Sequence, residues 1–234
     1  MQISERLKTV ASFVTEGMKV ADIGTDHAYV PIYLIKNGKI PSALAMDIGV
    51  GPLKRAKDHI AEQGLKEQIE TRLSDGFSAF QKGEAQSIVI AGLGGELMIQ
   101  ILQAGKEVLS EVSEFILSPH SEIHRVRSFL MDQGFSIIKE TMLYEEGIYY
   151  TIIKAVYGVG DYQTEPELWY GKRMLEEQHP VLYTYLQKEY LVRKQLLEKL
   201  SVMQKEHIKE RKKQIEIECM HIKEALAYYN KKGI

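Results

Sequence analysis

Between Lys19 and Pro119 the chain repeats one pattern, and that pattern restricts it to a narrow set of folds. A short apolar run ends in a polar or glycine-rich turn, and the turns open mostly into apolar spacings of three and four. The runs are KVADI (19–23), ALAMD (43–47), QIETRL (68–73), SIVIAG (87–92) and EFILSP (114–119). Helical spacing appears in AYVPIYLIK (28–36), GPLKRAKDHIAEQ (51–63, stopped by Gly64), ELMIQILQA (96–104) and HRVRSFLMDQ (124–133). A further helix is expected over 3–15, capped by Ser4, and Pro31 is tolerated in a first helical turn. Strands alternating with helices pair in parallel, because a parallel neighbour needs a crossover. Residues 135–157 then carry two β-rich runs around Glu145-Glu146-Gly147, the mark of a hairpin. The expected fold class is α/β: an open, mostly parallel sheet with helices on both faces and a terminal antiparallel hairpin.

After Tyr157 the pattern changes. GVGDYQTEP reads as a linker, and beyond it strand signals vanish. The expected domains are 1–158 and an α-helical coiled-coil domain, 159–234, with helices over 167–178, 181–204 and 207–230. Ile215, Cys219, Ile222, Leu226 and Tyr229 form one seam, and Val192, Leu196, Leu200 and Met203 the facing one. The polar stretch KEHIKERKK (205–213) is read as the turn between two antiparallel helices. Trp169 and Tyr170 are read as anchors of this appendage on the main domain.

Composition enters as a set of exclusions. With 44% apolar and 26% charged residues, the 234-residue chain is an ordinary globular one. It has no apolar run of about 18 residues, so no membrane span is expected. The first residues, MQISERLKTVASFV, lack a signal-peptide core. The one cysteine, Cys219, excludes an internal disulfide framework and is read as a small buried apolar residue. A cytoplasmic location follows as an expectation. The seven histidines are scattered, and no metal is expected. The formal charge of −2 hides an imbalance: residues 188–213 hold nine Lys/Arg against four Glu. A basic helical segment on an otherwise acidic chain suits a polyanion, although it equally describes a solvated helical face.

In a sheet of this kind ligands bind beyond the carboxyl ends of the strands. Those ends carry Asp22-Ile23-Gly24-Thr25-Asp26-His27, Asp47, Ser74-Asp75-Gly76, Ala91-Gly92-Leu93-Gly94-Gly95 and Ser118-Pro119-His120. Three acids thus end three successive strands. Asp47 stands 23 positions after Gly24, near the spacing of roughly 20 at which a carboxylate holds ribose hydroxyls. Asp75 is placed to accept from an adenine amino group. The site suits an adenosine-bearing cofactor. A pyrophosphate cofactor would want G-x-G-x-x-G and would be repelled by Asp22 and Asp26. S-adenosylmethionine carries a sulfonium and an ammonium instead, which acids favour. Asp22, Gly24, Thr25, Asp26, His27, Asp47, Ile48, Asp75, Gly76, Ala91 and Gly92 are the candidate cofactor contacts.

ADIGTDHAYVP (21–31), the AGLGG turn (91–95) and the helical tail together resemble the bacterial tRNA adenine-N1 methyltransferases that modify position 22, over essentially the whole chain. The resemblance implies a Rossmann-like methyltransferase domain, a C-terminal coiled coil, S-adenosylmethionine as donor and tRNA as acceptor. The family often has glutamate where Asp47 stands, and Q-P-N where this chain has Ser118-Pro119-His120. Adenine N1 has an in-plane lone pair, so catalysis rests on positioning and on binding the developing cation. Asp26 and His27 are candidate acceptors near N6. Gly92, Gly94 and Gly95 would let the base approach the backbone. His120, His124, Arg125 and Arg127 lie near the fifth strand's end, the arginines as candidate phosphate holders. A monomer is expected. The rival readings are a small-molecule methyltransferase, a non-catalytic RNA-binding protein retaining a cofactor pocket, and a nicotinamide oxidoreductase. The basic tail, the acid triplet and the absent G-x-G-x-x-G weigh against them in turn.

Overall fold

In the computed structural model, which describes residues 3–201 and 206–230, each apolar run is a strand. These are β1 (Val20–Ile23), β2 (Ala43–Asp47), β3 (Ile69–Leu73), β4 (Ser87–Ala91), β5 (Glu114–Ser118), β6 (Phe135–Glu145) and β7 (Ile148–Tyr157). They form one sheet in the order β3-β2-β1-β4-β5-β7-β6. β1 to β5 pair in parallel, while β7 runs antiparallel to both β5 and β6. β1 and β5 are buried along their whole length, as central strands covered on both faces must be. The helices between them are α1 (Glu5–Phe13), α2 (Tyr29–Lys36), α3 (Val50–Glu62), α4 (Gly95–Ala104) and α5 (Ile123–Asp132). On one face Val10, Phe13, Ile32 and Leu34 pack against Ala45, Val89, Ile116 and Ile152. The α/β fold with a terminal hairpin is therefore as expected.

Two buried ion pairs tie the hairpin to this core. Glu114 accepts from the Thr15 amide, the Thr15 hydroxyl and Lys154 Nζ, the last at 2.6 Å. Arg127 donates to Glu140 at 2.7 Å, both fully buried. Arg127 is thus no phosphate holder. Its α5 face meets β6, and Glu140 neutralises it there. Arg125 likewise pairs with Glu96 at 2.5 Å. The hairpin also reaches the start of α1. Glu145 accepts from the Glu5 and Arg6 amides at 2.7 and 3.2 Å, beside the Ser4 cap. It satisfies N–H groups that a helix start leaves unpaired.

The chain divides between Gly160 and Asp161. The second unit is helical: α6 (Glu165–Tyr170), α7 (Lys172–Glu176), α8 (Pro180–Ser201) and α9 (Glu206–Asn230). The single helix expected over 167–178 is two short ones. Gly171 breaks it by taking φ 91, a conformation glycine adopts without strain. Trp169 lies against His221, their rings 5.9 Å apart. α8 and α9 run antiparallel, with Tyr183 beside Tyr229 and Arg193 beside Glu218. Residues 206–213, expected as a turn, belong to α9; Met203 and Lys205 lie outside the described residues. Leu182, Leu186, Ile215, Cys219, Ile222 and Ala225 are buried. Val192 is not on the seam but 49% exposed. Arg193 turns inward instead, donating to Glu189 and to Glu218.

Candidate active site

The strand order reverses between β1 and β4, so helices leave in opposite directions from their carboxyl ends and open a crevice there. The turn after β1 is hooked over its neighbour. Gly24 takes φ 77, and the Gly24 and Thr25 amides both donate to Met46 O at 2.9 Å. This hook holds Asp22, Gly24, Thr25, Asp26 and His27 around a cleft of about 210 Å³, which Arg6, Leu7, Tyr29, Val30 and Ala91 complete. Asp22 is buried beneath it. Burial pushes its carboxyl up to about 6, and the charge of Asp47 adds to this, while the Thr25 hydroxyl opposes both. A carboxyl in that condition gains most from a cation placed beside it.

The other two acids stand along the same rim, on β2 and after β3, as the sheet order requires. Asp47 Oδ1 accepts from the Gly49 amide at 2.6 Å, which fixes the side chain. Beside it Ile48 is 67% exposed, an apolar surface on a polar rim. Asp75 and Gly76 line a second hollow of about 560 Å³, with Leu97 and Gln100 from α4 opposite. A mostly apolar hollow of about 270 Å³, lined by Leu102, Phe129, Phe135 and Tyr157, lies at the other end of the strands, away from all three acids.

Asp26 and His27 are brought to the cleft in different states. Asp26 Oδ1 accepts from Arg55 Nε and Nη2 at 2.9 and 2.6 Å, so α3 already claims that carboxylate. His27 stacks on Tyr29 at 5.0 Å and 15°, with His59 tilted beside both. Its Nδ1 is buried with no hydrogen-bond partner among the described residues. A buried polar atom without a partner is costly unless a ligand satisfies it.

The AGLGG turn is bonded to the turn after β5. The Gly92 amide donates to Ser118 O at 3.1 Å, and the His120 amide to Leu93 O at 2.9 Å. Gly92 needs its φ of 96. Gly95 is small for a packing reason, since a Cβ there would stand 2.3 Å from Ser121 O. Gly94 has space, its nearest neighbour for a Cβ being Ser121 Oγ at 3.4 Å. Two residues on this rim were not among the sequence candidates. Arg6 comes from α1 and Tyr150 from β7, and the Arg6 guanidinium lies 5.1 Å from the Tyr150 ring. An arginine in an amphipathic helix and a tyrosine in a hairpin strand give no local sign of a site. The sheet order alone brings them to it.

Comparison with known proteins shows the family. A family model described as a methyltransferase domain matches residues 3–153. The tRNA (adenine(22)-N(1))-methyltransferase of Bacillus subtilis is 39% identical over 161 residues, 69% of this chain and 68% of that one. The crystal structure of the B. subtilis m1A22 tRNA methyltransferase superposes with a TM-score of 0.88 at 32% identity, covering 96% of this chain and 98% of that one. A Streptococcus pneumoniae protein crystallised in complex with S-adenosyl-L-methionine gives a TM-score of 0.85 at 35% identity, covering 96% of this chain and all of the other.

Proposed function

The chain belongs to the methyltransferase-domain family and, within it, to the bacterial tRNA (adenine(22)-N(1))-methyltransferases, and on that premise we propose that it methylates N1 of adenine 22 in tRNA, with S-adenosylmethionine as donor. The observation that carries the reading is the acid triplet Asp22, Asp47 and Asp75 on three adjacent strand ends, the first of them buried at a cleft that Arg6 also lines. Residues 1–158 then act as the methyltransferase domain and 159–234 as the helical coiled-coil domain.

The residues fit this donor. Its amino-acid end is a zwitterion, and the cleft offers Asp22 for the ammonium and Arg6 for the carboxylate. Asp47 is in place for the ribose hydroxyls, Ile48 for a face of the adenine, and Asp75 with Gly76 for its amino edge. The unpartnered His27 Nδ1 offers one further polar contact. Thr25, Ala91 and Gly92 close the walls. S-adenosylmethionine, when bound, supplies a methyl group on an electron-poor sulfonium.

Adenine N1 needs no base to attack, so the protein's tasks are to hold the unpaired nucleotide in line and to exclude water. The AGLGG backbone at Gly94 lets the base come close. Methylation leaves the ring cationic, and the Asp26 carboxylate, with His27 beside it, stabilises that charge as it develops. Asp26 serves as a shared anion between Arg55 and the base. The exposed lysines of α8 and α9 grip the tRNA away from its target nucleotide. We place the enzyme in the cytoplasm as a monomer; among the described residues no helix is long and apolar enough to cross a membrane. The test is calorimetric titration with S-adenosylmethionine, followed by methylation of bulk tRNA. Micromolar binding with Asp22→Ala inactive is expected. Wild-type activity in that variant would overturn the site.

A further inference from the structure

His120 stands over the AGLGG turn in a state set by its neighbours. A Cβ on Gly92 would lie 3.7 Å from Arg6 Nη1 and 3.9 Å from His120 Cε1, so both side chains sit directly above that backbone. Arg6 Nη1 approaches His120 Nε2 to 3.4 Å. A guanidinium has donors and no acceptor, so Nε2 must carry the lone pair and the ring proton sits on Nδ1. Burial and the charge of Arg6 both lower the pKa of this imidazole, which keeps it neutral. Tyr150 flanks the ring at 5.7 Å and supports Arg6 from below, while Glu145 accepts from the Arg6 amide. Nδ1–H is left as a donor with no acceptor among the described residues. Arg6, which touches the ring at Nε2, lines the cleft that holds Asp22.

We propose that His120 positions the acceptor base, its Nδ1–H donating to N7 of the adenine. This rests on the function proposed above. N1 must keep its lone pair for the methyl group, and N6 is itself a donor. The acceptor next to N6 on the far edge of the base is N7, which pyrimidines lack. Arg6 and Tyr150 act through His120 by fixing its tautomer and orientation.

The test is single-turnover methylation of tRNA carrying either adenosine or 7-deazaadenosine at the target position, by the wild type, His120→Ala and His120→Asn. Loss of one neutral hydrogen bond predicts about a tenfold slower rate on the 7-deaza substrate for the wild type. His120→Ala should lose about the same on adenosine and nothing further on 7-deazaadenosine. His120→Asn, which keeps an N–H donor, should recover most of the loss, and cofactor affinity should not change in either variant. Equal wild-type rates on the two substrates overturn the proposal, as do losses that multiply in the combination. If His120→Ala does not fold, the wild-type pair of substrates decides alone. A wild type that methylates neither substrate overturns the function itself, a different result from methylating both equally.

Discussion

Asp47→Ala should weaken S-adenosylmethionine binding by about 1.5–3 kcal/mol, the worth of a charged acceptor to a hydroxyl pair, measured by calorimetry. Asp22 sets a pH dependence. Its folded-state value of about 6 lies above the ordinary 3.8, so the free folded chain holds a proton that the unfolded chain releases. Its contribution to stability is therefore largest below about pH 4 and is lost as pH rises towards 6. A cationic ligand favours the ionised form, so affinity should rise between about pH 5 and 7 with a proton released on binding. Asp22→Asn should flatten that profile. An unchanged slope in this variant would assign the titration elsewhere. The two glycines should separate: Gly95→Ala lowers the melting temperature, because its Cβ meets Ser121 O, while Gly94→Val folds and fails to transfer methyl. The acids and glycines were legible in the sequence because strand ends open on the crevice whatever the helices do. Arg6 and Tyr150 were not, since each reaches the rim only through pairing far along the chain.

At the scale of elements, burial explains both what was legible and what was not. The apolar runs of β1, β4 and β5 are continuous because helices cover both faces, and that continuity made them readable. Arg127 and Glu140 hid the opposite way, as charged residues on elements whose outer faces are also charged. Their pairing predicts an asymmetry. Arg127→Ala should cost about 3–5 kcal/mol in chemical denaturation, because it removes the cation that Glu140 is buried against. Arg127→Met combined with Glu140→Leu should cost far less, and equal costs would mean that Glu140 finds water or another donor. In the helical unit the seam of α9 was readable from Ile215, Cys219 and Ile222. The α8 seam differs from expectation at one residue, Val192, because Arg193 points inward to Glu189 and Glu218 and a heptad rule assigns such positions to apolar residues.

At the scale of the whole molecule, the basic segment divides into charges that are engaged and charges that are not. Arg193 and Arg211 face Glu218. Lys194, Lys199 and Lys213 are exposed and make no ion pair among the described residues. Replacing these three with Ser should lower tRNA affinity and reduce the salt slope by about two to three, leaving cofactor affinity unchanged, because each phosphate contact releases counterions. An unaltered slope would make them a solvated face. The central claim concerns where the methyl group goes. Wild-type protein, labelled S-adenosylmethionine and tRNA containing adenine 22 should give 1-methyladenosine at that position alone, read by nuclease digestion with mass spectrometry and by a primer-extension stop. Label in another nucleoside, at another adenine, or in no nucleoside at all would contradict the account.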